Sequence, residues 1–315
     1  MTAKEDRLVS VIIPVTTRHS EVADLLREYK AGLENTGHSY EFVYVLDSGL
    51  PRVRESLEKL KAEGEPLKVV ILAKWFGEGT ALAAGFANSV GDIVLTLPAF
   101  RQVQPDEIGR LLELLADETD MVVAQRYPRL DPTFNRIASK IFHALLRTTL
   151  DFPFGDLGCG VRAFKRKILD ELQVYGDLAV FLPLLAHQQG FKVAECRTAQ
   201  ARDDAFRRVY SPKIYLQRLL DILTFIFLVR FTKKPLRFFG LVGTTIFAIG
   251  GIATLWLVFE RLFLGVALAD RPALFLASLM IVLGIQMLAV GLIGELIIFT
   301  HAKDIKEYNI AEIIE

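Results

Sequence analysis

Two long uncharged stretches near the C-terminal end decide what this chain can become. Residues 238–259 and 272–294 contain no Asp, Glu, Lys or Arg. About 20 apolar residues in helical form cross a bilayer core, and each run reaches that length. Helices buried in a soluble core rarely run so far without a charge. The stretch between the two runs, 260–271, carries charges at both ends. The pattern predicts a hairpin that enters the membrane, turns and returns. Lys233, Lys234 and Arg237 precede the first run, and His301, Lys303 and Lys306 follow the second. The turn holds Arg261 and Arg271, offset by Glu260 and Asp270. Basic residues stay on the cytoplasmic side, so both flanks and the N-terminal part are expected there, on a multi-pass protein of the inner or plasma membrane. The polar opening, 2–7, carries no signal-peptide pattern.

Composition narrows the partners. Lys plus Arg and Asp plus Glu both total 37, so no global basic field exists for nucleic acid. Cys159 and Cys196 suit a reducing compartment without a disulfide. His19, His38, His143, His187 and His301 show no zinc-ligand spacing.

The rest of the chain alternates strand and helix patterns. Residues 8–14 form a short apolar run ended by Pro14, as in a buried parallel strand. Ser20 is placed to cap a helix whose apolar face is Val22, Leu25, Leu26, Tyr29 and Leu33, with Gly37 beyond its end. Strands follow at 40–46, 67–72, 92–97 and 121–125, and helices at 51–63, 79–89 and 105–116. Further helices are expected at 134–150 and 177–189, with a strand at 192–196. Such alternation implies an α/β domain with a mostly parallel sheet covered on both faces. Ligands bind such sheets beyond the carboxyl ends of the strands, so loops 16–18, 47–50, 74–79 and 98–102 should line the site. Residues 212–231 mix Lys213, Arg218 and Arg230 with many large apolar residues. That mixture fits a helix lying in the membrane interface, or else an ordinary packing helix.

Several segments together resemble a known family. These are the opening Val-Ser-Val-Ile-Ile-Pro, Phe76-Gly77 followed by Ala81-Leu-Ala-Ala-Gly85, and Gly91-Asp92. To them are added Asp156-Leu-Gly-Cys-Gly-Val-Arg162-Ala-Phe164 and the late Gly294-Glu295. With the interfacial helix and the hairpin, the chain resembles the family-two glycosyltransferases that load sugars onto polyprenyl phosphate, of the dolichyl-phosphate mannose synthase and undecaprenyl-phosphate sugar transferase type. The segment 156–164 is the most specific, being similar to the family's Asp-x-x-Ser-Gly-Phe-Arg-Ala-Phe. The resemblance implies a GT-A fold and four parts: a cytoplasmic domain at 1–211, an interfacial helix at 212–235, two transmembrane helices at 236–300 and a cytoplasmic tail at 301–315. It implies transfer of a sugar from a nucleotide sugar to polyprenyl phosphate, for cell-envelope glycans, by a homo-oligomer such as a tetramer.

The resemblance also implies site residues. Pro14, Asp47 and Arg126 fall on the donor side. Asp156 is the candidate catalytic carboxylate, orienting or deprotonating the acceptor. Arg162, Arg202 and Arg208, helped by Arg207, fall at the acceptor phosphate. The basic run at 202–208 could equally be a solvated loop near anionic headgroups. Glu295 near a membrane boundary needs a partner, and an intersubunit or juxtamembrane base is expected before a catalytic role.

The donor loops depart from the family. Its metal-binding Asp-Ala-Asp corresponds to Pro98-Ala99-Phe100, and neither proline nor phenylalanine ligates a metal. Its Asp-Asp after the second strand corresponds to Leu46-Asp47. The next Gly-Ser is Ser48-Gly49, the asparagine of Asn-x-Gly is Trp75, and Tyr-Asn-Glu is Thr16-Thr17-Arg18. No metal or other cofactor is therefore expected. Two readings stay open. One is a transferase that steadies the leaving diphosphate with side-chain cations, among which Arg18, Lys74, Arg101 and Arg126 are candidates. The other is a pseudoenzyme that serves as a lipid-phosphate-binding scaffold. A transporter is disfavoured, because two spans enclose no pathway on their own.

Overall fold

The computed structural model describes residues 7–16, 18–47, 49–74, 76–115, 118–132, 144, 154–172, 181–205, 220, 235–265, 267 and 271–301. The chain divides into two compact units, Met1–Gln217 with Glu307–Glu315, and Arg218–Lys306.

The first unit is an α/β domain. Its elements run β1 (Val9–Pro14), α1 (Val22–Glu34), β2 (Tyr40–Asp47), α2 (Pro51–Ala62), β3 (Leu67–Leu72), α3 (Glu78–Ala87), β4 (Ile93–Thr96), α4 (Glu107–Leu114) and β5 (Met121–Arg126). Then come β6 (Arg162–Lys165), α5 (Lys167–Glu171), α6 (Leu182–Gln188), β7 (Val193–Thr198) and the single turn α7 (Arg202–Ala205). The seven strands lie in the order β3-β2-β1-β4-β6-β5-β7. Only β6 runs antiparallel, against both β4 and β5.

The core explains the sequence pattern. β1 is buried along its whole length. Its alternate residues Val9, Val11 and Ile13 face α1, α2 and α4, where Leu25, Leu33, Leu57 and Leu111 meet them. Ile12 faces the other way, with Val43 and Val45, onto Ala81, Leu82 and Phe86 of α3. The small residues of α3 let that helix approach closely. A Cβ on Gly85 would lie 2.4 Å from Ile12 Cγ2. Gly77 precedes α3 with φ 99°, a conformation suited to glycine.

Three expectations change. Ser20 does not cap α1: the preceding residue is Glu21, and no side chain caps the helix. Instead the Ser20 amide donates to Ala99 O at 2.8 Å, tying the loop after β1 to the loop after β4. Element ends shift by a residue or two; the helix expected at 105–116 spans Glu107–Leu114. The strand β6 was not anticipated, since four residues within a polar motif give little periodic signal. The helix expected at 134–150 and the interfacial helix at 212–231 lie, but for Ala144 and Leu220, outside the described residues. So does the first part of the helix expected at 177–189.

The second unit holds α8 (Pro235–Phe263) and α9 (Pro272–His301). Both are long and apolar enough to cross a membrane. They pack through glycines: a Cβ on Gly243 would lie 2.8 Å from Gly284 O, and one on Gly250 2.8 Å from Ala277 O. Small residues allow such close backbone approach between apolar helices. Leu241, Leu262, Phe275 and Phe299 point outward and are exposed, as lipid-facing side chains would be. Glu260 pairs with Arg271 across the turn and accepts from Trp256 Nε1 at 3.0 Å. Among the described residues Glu295 meets a backbone amide: its Oε2 accepts from Leu236 N at 3.4 Å, while Lys233, Lys234, Lys303 and Lys306 lie outside them. A carboxylate at the first turn of α8 suits the positive end of the helix dipole.

Candidate active site

The topology selects one crevice. The chain runs outward through β1, β2 and β3, then returns to β4 on the other side of β1. In open α/β sheets, ligands sit beyond the carboxyl ends of the strands at such a reversal. Here that point lies between the loops following Pro14 and Thr96. The antiparallel β6 starts where β4 ends, Thr96 opposite Arg162, so the preceding segment 154–161 is delivered to the same place. β5 ends beside it at Arg126.

A buried ionic cluster fills this region. Arg126 donates from Nε to Asp156 Oδ2 at 2.7 Å and from Nη2 to Asp156 Oδ1 at 3.0 Å. Its Nη1 donates to Asp204 Oδ2 at 2.9 Å. Asp156 also accepts from the amides of Arg126 and Gly158 and from Arg129 Nη2, the last at 2.7 Å. Asp204 accepts from Gln200 Nε2 at 2.9 Å and Arg18 Nη2 at 3.3 Å. Arg126, Asp156 and Asp204 are 5 %, 1 % and 0 % exposed, so these charges are held by each other rather than by bulk water. Burial pushes the Asp156 carboxyl upward, but the hydrogen bonds and charge of Arg126, with Arg129, outweigh it and hold the group below the usual carboxylate range. Such a group is a poor proton acceptor near neutral pH.

A second, neutral network sets the motif backbone. Gln102 Oε1 accepts from Gly160 N at 2.7 Å, and its Nε2 donates to Gly158 O at 3.3 Å. Thr96 Oγ1 donates to Gly160 O at 2.7 Å. Cys159 is fully buried, and its thiol is pushed up to about 12 by burial. Arg162 is buried, donating to Cys159 O and Leu157 O. It shares a small cavity with Pro14, Glu78, Thr96, Pro98 and Gly160.

The expected residues therefore divide. Pro14 and Arg162 line one cavity, while Arg126 and Asp156 form the ionic cluster. Asp47 closes β2 and accepts from Gly49 N at 2.9 Å, a local turn. Arg202 is exposed at the start of α7. Arg207 and Arg208 lie outside the described residues. Of the four candidate cations, Arg101 pairs with Glu28, Lys74 lies 5.1 Å from the Phe76 ring centroid, and Arg18 and Arg126 converge on Asp204. The sequence placed Gln102 in an expected site loop without singling it out, and gave no role to Asp204, Gln200 or Arg129. The signal for Asp204 was an acidic pair set inside a basic run, an unfavourable neighbour choice unless the acid has work elsewhere.

The loop 98–100 is closed by hydrogen bonds. Tyr29 Oη shares its one proton between Pro98 O at 2.9 Å and Phe100 O at 3.2 Å, and Ala99 O accepts from Ser20 N. The Arg18 guanidinium lies 3.7 Å from the Phe100 ring centroid. Among the described residues no group of three or more His, Cys, Asp or Glu is disposed to hold a metal.

Comparison with known proteins agrees with this architecture. Glycosyl transferase family 2 matches residues 10–173. The undecaprenyl-phosphate 4-deoxy-4-formamido-L-arabinose transferase of Sodalis glossinidius is 32% identical over 291 residues, 92% of this chain and 88% of its own. The protein of that name from Pseudomonas aeruginosa is 33% identical over 290 residues, 91% and 84% of the two chains. Among solved structures, glucosyl-3-phosphoglycerate synthase from Mycobacterium tuberculosis superposes with a TM-score of 0.53 at 17% identity, over 71% of this chain and 78% of that one. That likeness concerns the fold alone.

Proposed function

Because this chain belongs to glycosyl transferase family 2, we propose that it transfers a sugar from a nucleotide sugar to a polyprenyl phosphate at a membrane. The observation that carries this reading is the extent of the alignment. Relatives named for sugar transfer to undecaprenyl phosphate align over 92% of the chain, the apolar hairpin included. In the proposed reaction an acceptor phosphate oxygen bonds to the anomeric carbon while the bond from that carbon to the donor diphosphate breaks. The diphosphate leaves with the electron pair. The acceptor phosphate is already largely ionised at neutral pH, so positioning matters more than a base. Asp156 then acts as a positioning residue that fixes Arg126 and Arg129 beside the crevice. Pro14, Asp47 and Arg126 remain the proposed donor side. Arg162, Arg202 and Arg208 remain the proposed acceptor-phosphate side. The basic flanks of the hairpin favour a cytoplasmic domain with both ends of the chain on that side. A homo-oligomer, such as a tetramer, is the proposed assembly.

The non-ligating loop 98–100 favours a second reading, a pseudoenzyme that keeps a lipid-phosphate grip. The full-length protein in undecaprenyl-phosphate vesicles separates the two. It is incubated with a panel of nucleotide sugars, beginning with nucleotide-linked 4-deoxy-4-formamido-L-arabinose, with and without EDTA. A lipid-linked sugar detected by mass spectrometry is the expected result. No product from any donor, with undecaprenyl phosphate still bound, would overturn transfer in favour of the scaffold.

A further inference from the structure

The metal implied by the family does not fit this site, and the structure offers a replacement. Divalent Mg and Mn require several oxygen ligands. The side chains at 98 and 100 supply none, Ala99 O accepts from Ser20 N, and the single hydroxyl proton of Tyr29 is shared between Pro98 O and Phe100 O. The buried carboxylates Asp156 and Asp204 are both engaged by arginines. A cation nevertheless lies there. Arg18 reaches across from the loop after β1 and places its guanidinium over the Phe100 ring at 3.7 Å, on the loop after β4. The negative face of an aromatic ring attracts such a charge. Asp204 steadies it from the side at 3.3 Å. The Arg18 side chain is still 35% exposed, at the topological reversal where a ligand would enter.

We propose that Arg18, seated on Phe100 and braced by Asp204, binds the donor diphosphate directly and makes that binding independent of any divalent metal. A guanidinium presents several fixed N–H donors to phosphate oxygens and keeps its charge at every working pH. Fixed beforehand by the ring and the carboxylate, it needs little rearrangement when charge develops on the leaving diphosphate. Phe100 supplies the ring on which Arg18 rests and offers no oxygen to a metal. This proposal rests on the transferase reading for its biological meaning, but its test does not require turnover.

The experiment is calorimetric titration of the detergent-solubilised full chain with inorganic pyrophosphate, in EDTA and again with Mn²⁺. The expected result is binding in EDTA, changed less than threefold by Mn²⁺. Arg18→Gln should weaken it at least tenfold and Phe100→Leu several-fold, while Arg18→Lys retains part of it. Arg54→Gln, on the exposed face of α2, serves as the control and should bind as the unmodified chain does. Thermal unfolding of each variant reports folding, and Arg18→Lys with Phe100→Leu decides the matter should Arg18→Gln prove unstable. Absent binding in EDTA, or equal affinities for the unmodified chain and the folded Arg18 variants, would overturn the proposal. EDTA-resistant binding that depends on Arg18 would support it even if the vesicle assay yields no product, in which case only the transferase reading fails.

Discussion

Arg126 and Asp156 face each other as a two-pronged ion pair, at 2.7 and 3.0 Å, with side chains only 5 % and 1 % exposed. Two buried charges of this kind are not a source of large net stability, because their desolvation offsets most of their attraction. Their value is positional: they fix the end of β5 to the segment before β6. Removing one partner leaves the other charge buried. Arg126→Met should therefore destabilise the α/β domain by about 3–5 kcal/mol, measured by denaturant unfolding of the full chain. A loss below about 1 kcal/mol would mean that the pair is wet and replaceable.

The same pair gives a pH dependence. The Asp156 carboxyl sits below its ordinary range when folded. Its contribution to stability is complete above the unfolded carboxylate value of about 4, and is lost as pH falls through the lower folded value. Thermal unfolding between about pH 2 and 7 should show that acid loss, reduced in Asp156→Asn. An identical acid limb in both proteins would assign the loss to other carboxylates.

Tyr29 should prove structural. Its buried hydroxyl serves two carbonyls of the loop 98–100. Tyr29→Phe removes the one proton they share and should cost about 1–3 kcal/mol. If the loop only needs the ring of Tyr29, this variant will unfold at the denaturant concentration of the unmodified chain.

No saturable Mn²⁺ site is expected at 98–100. Electron paramagnetic resonance titration of free Mn²⁺ with the full chain should show no stoichiometric loss of signal. Asp47 and Asp106 are the carboxylates that could still rescue such a site, although Asp47 Oδ1 accepts from Gly49 N. Saturable binding abolished by Asp47→Ala would contradict the expectation.

Gly85 marks where helix α3 touches the sheet. A Cβ there would meet Ile12 Cγ2 at 2.4 Å and Val45 Cγ2 at 3.2 Å. Gly85→Val should overpack this contact and cost about 1–3 kcal/mol, read as a lower denaturant midpoint. An unchanged midpoint would mean that α3 shifts outward freely.

The sequence by itself determined the elements whose signal is local. The apolar run at 8–14, ended by Pro14, specified β1, the spacing of Val22, Leu25, Leu26, Tyr29 and Leu33 specified the buried face of α1, and the absence of charge specified α8 and α9. Each depends on neighbours within a few residues, where geometry is fixed by the repeat of a helix or strand. The motif at 156–164 marked where chemistry should gather, but not what its charges touch. Only the tertiary structure decided that Arg126 meets Asp204, 78 residues away, and that Arg18 meets Asp204, 186 residues away. Only the antiparallel β6 brought Asp156 beside the end of β5. Asp204 reads as part of a basic surface run until the fold buries it, because a charge takes its role from the groups that replace its water. Those groups are chosen by chain topology rather than by sequence neighbours.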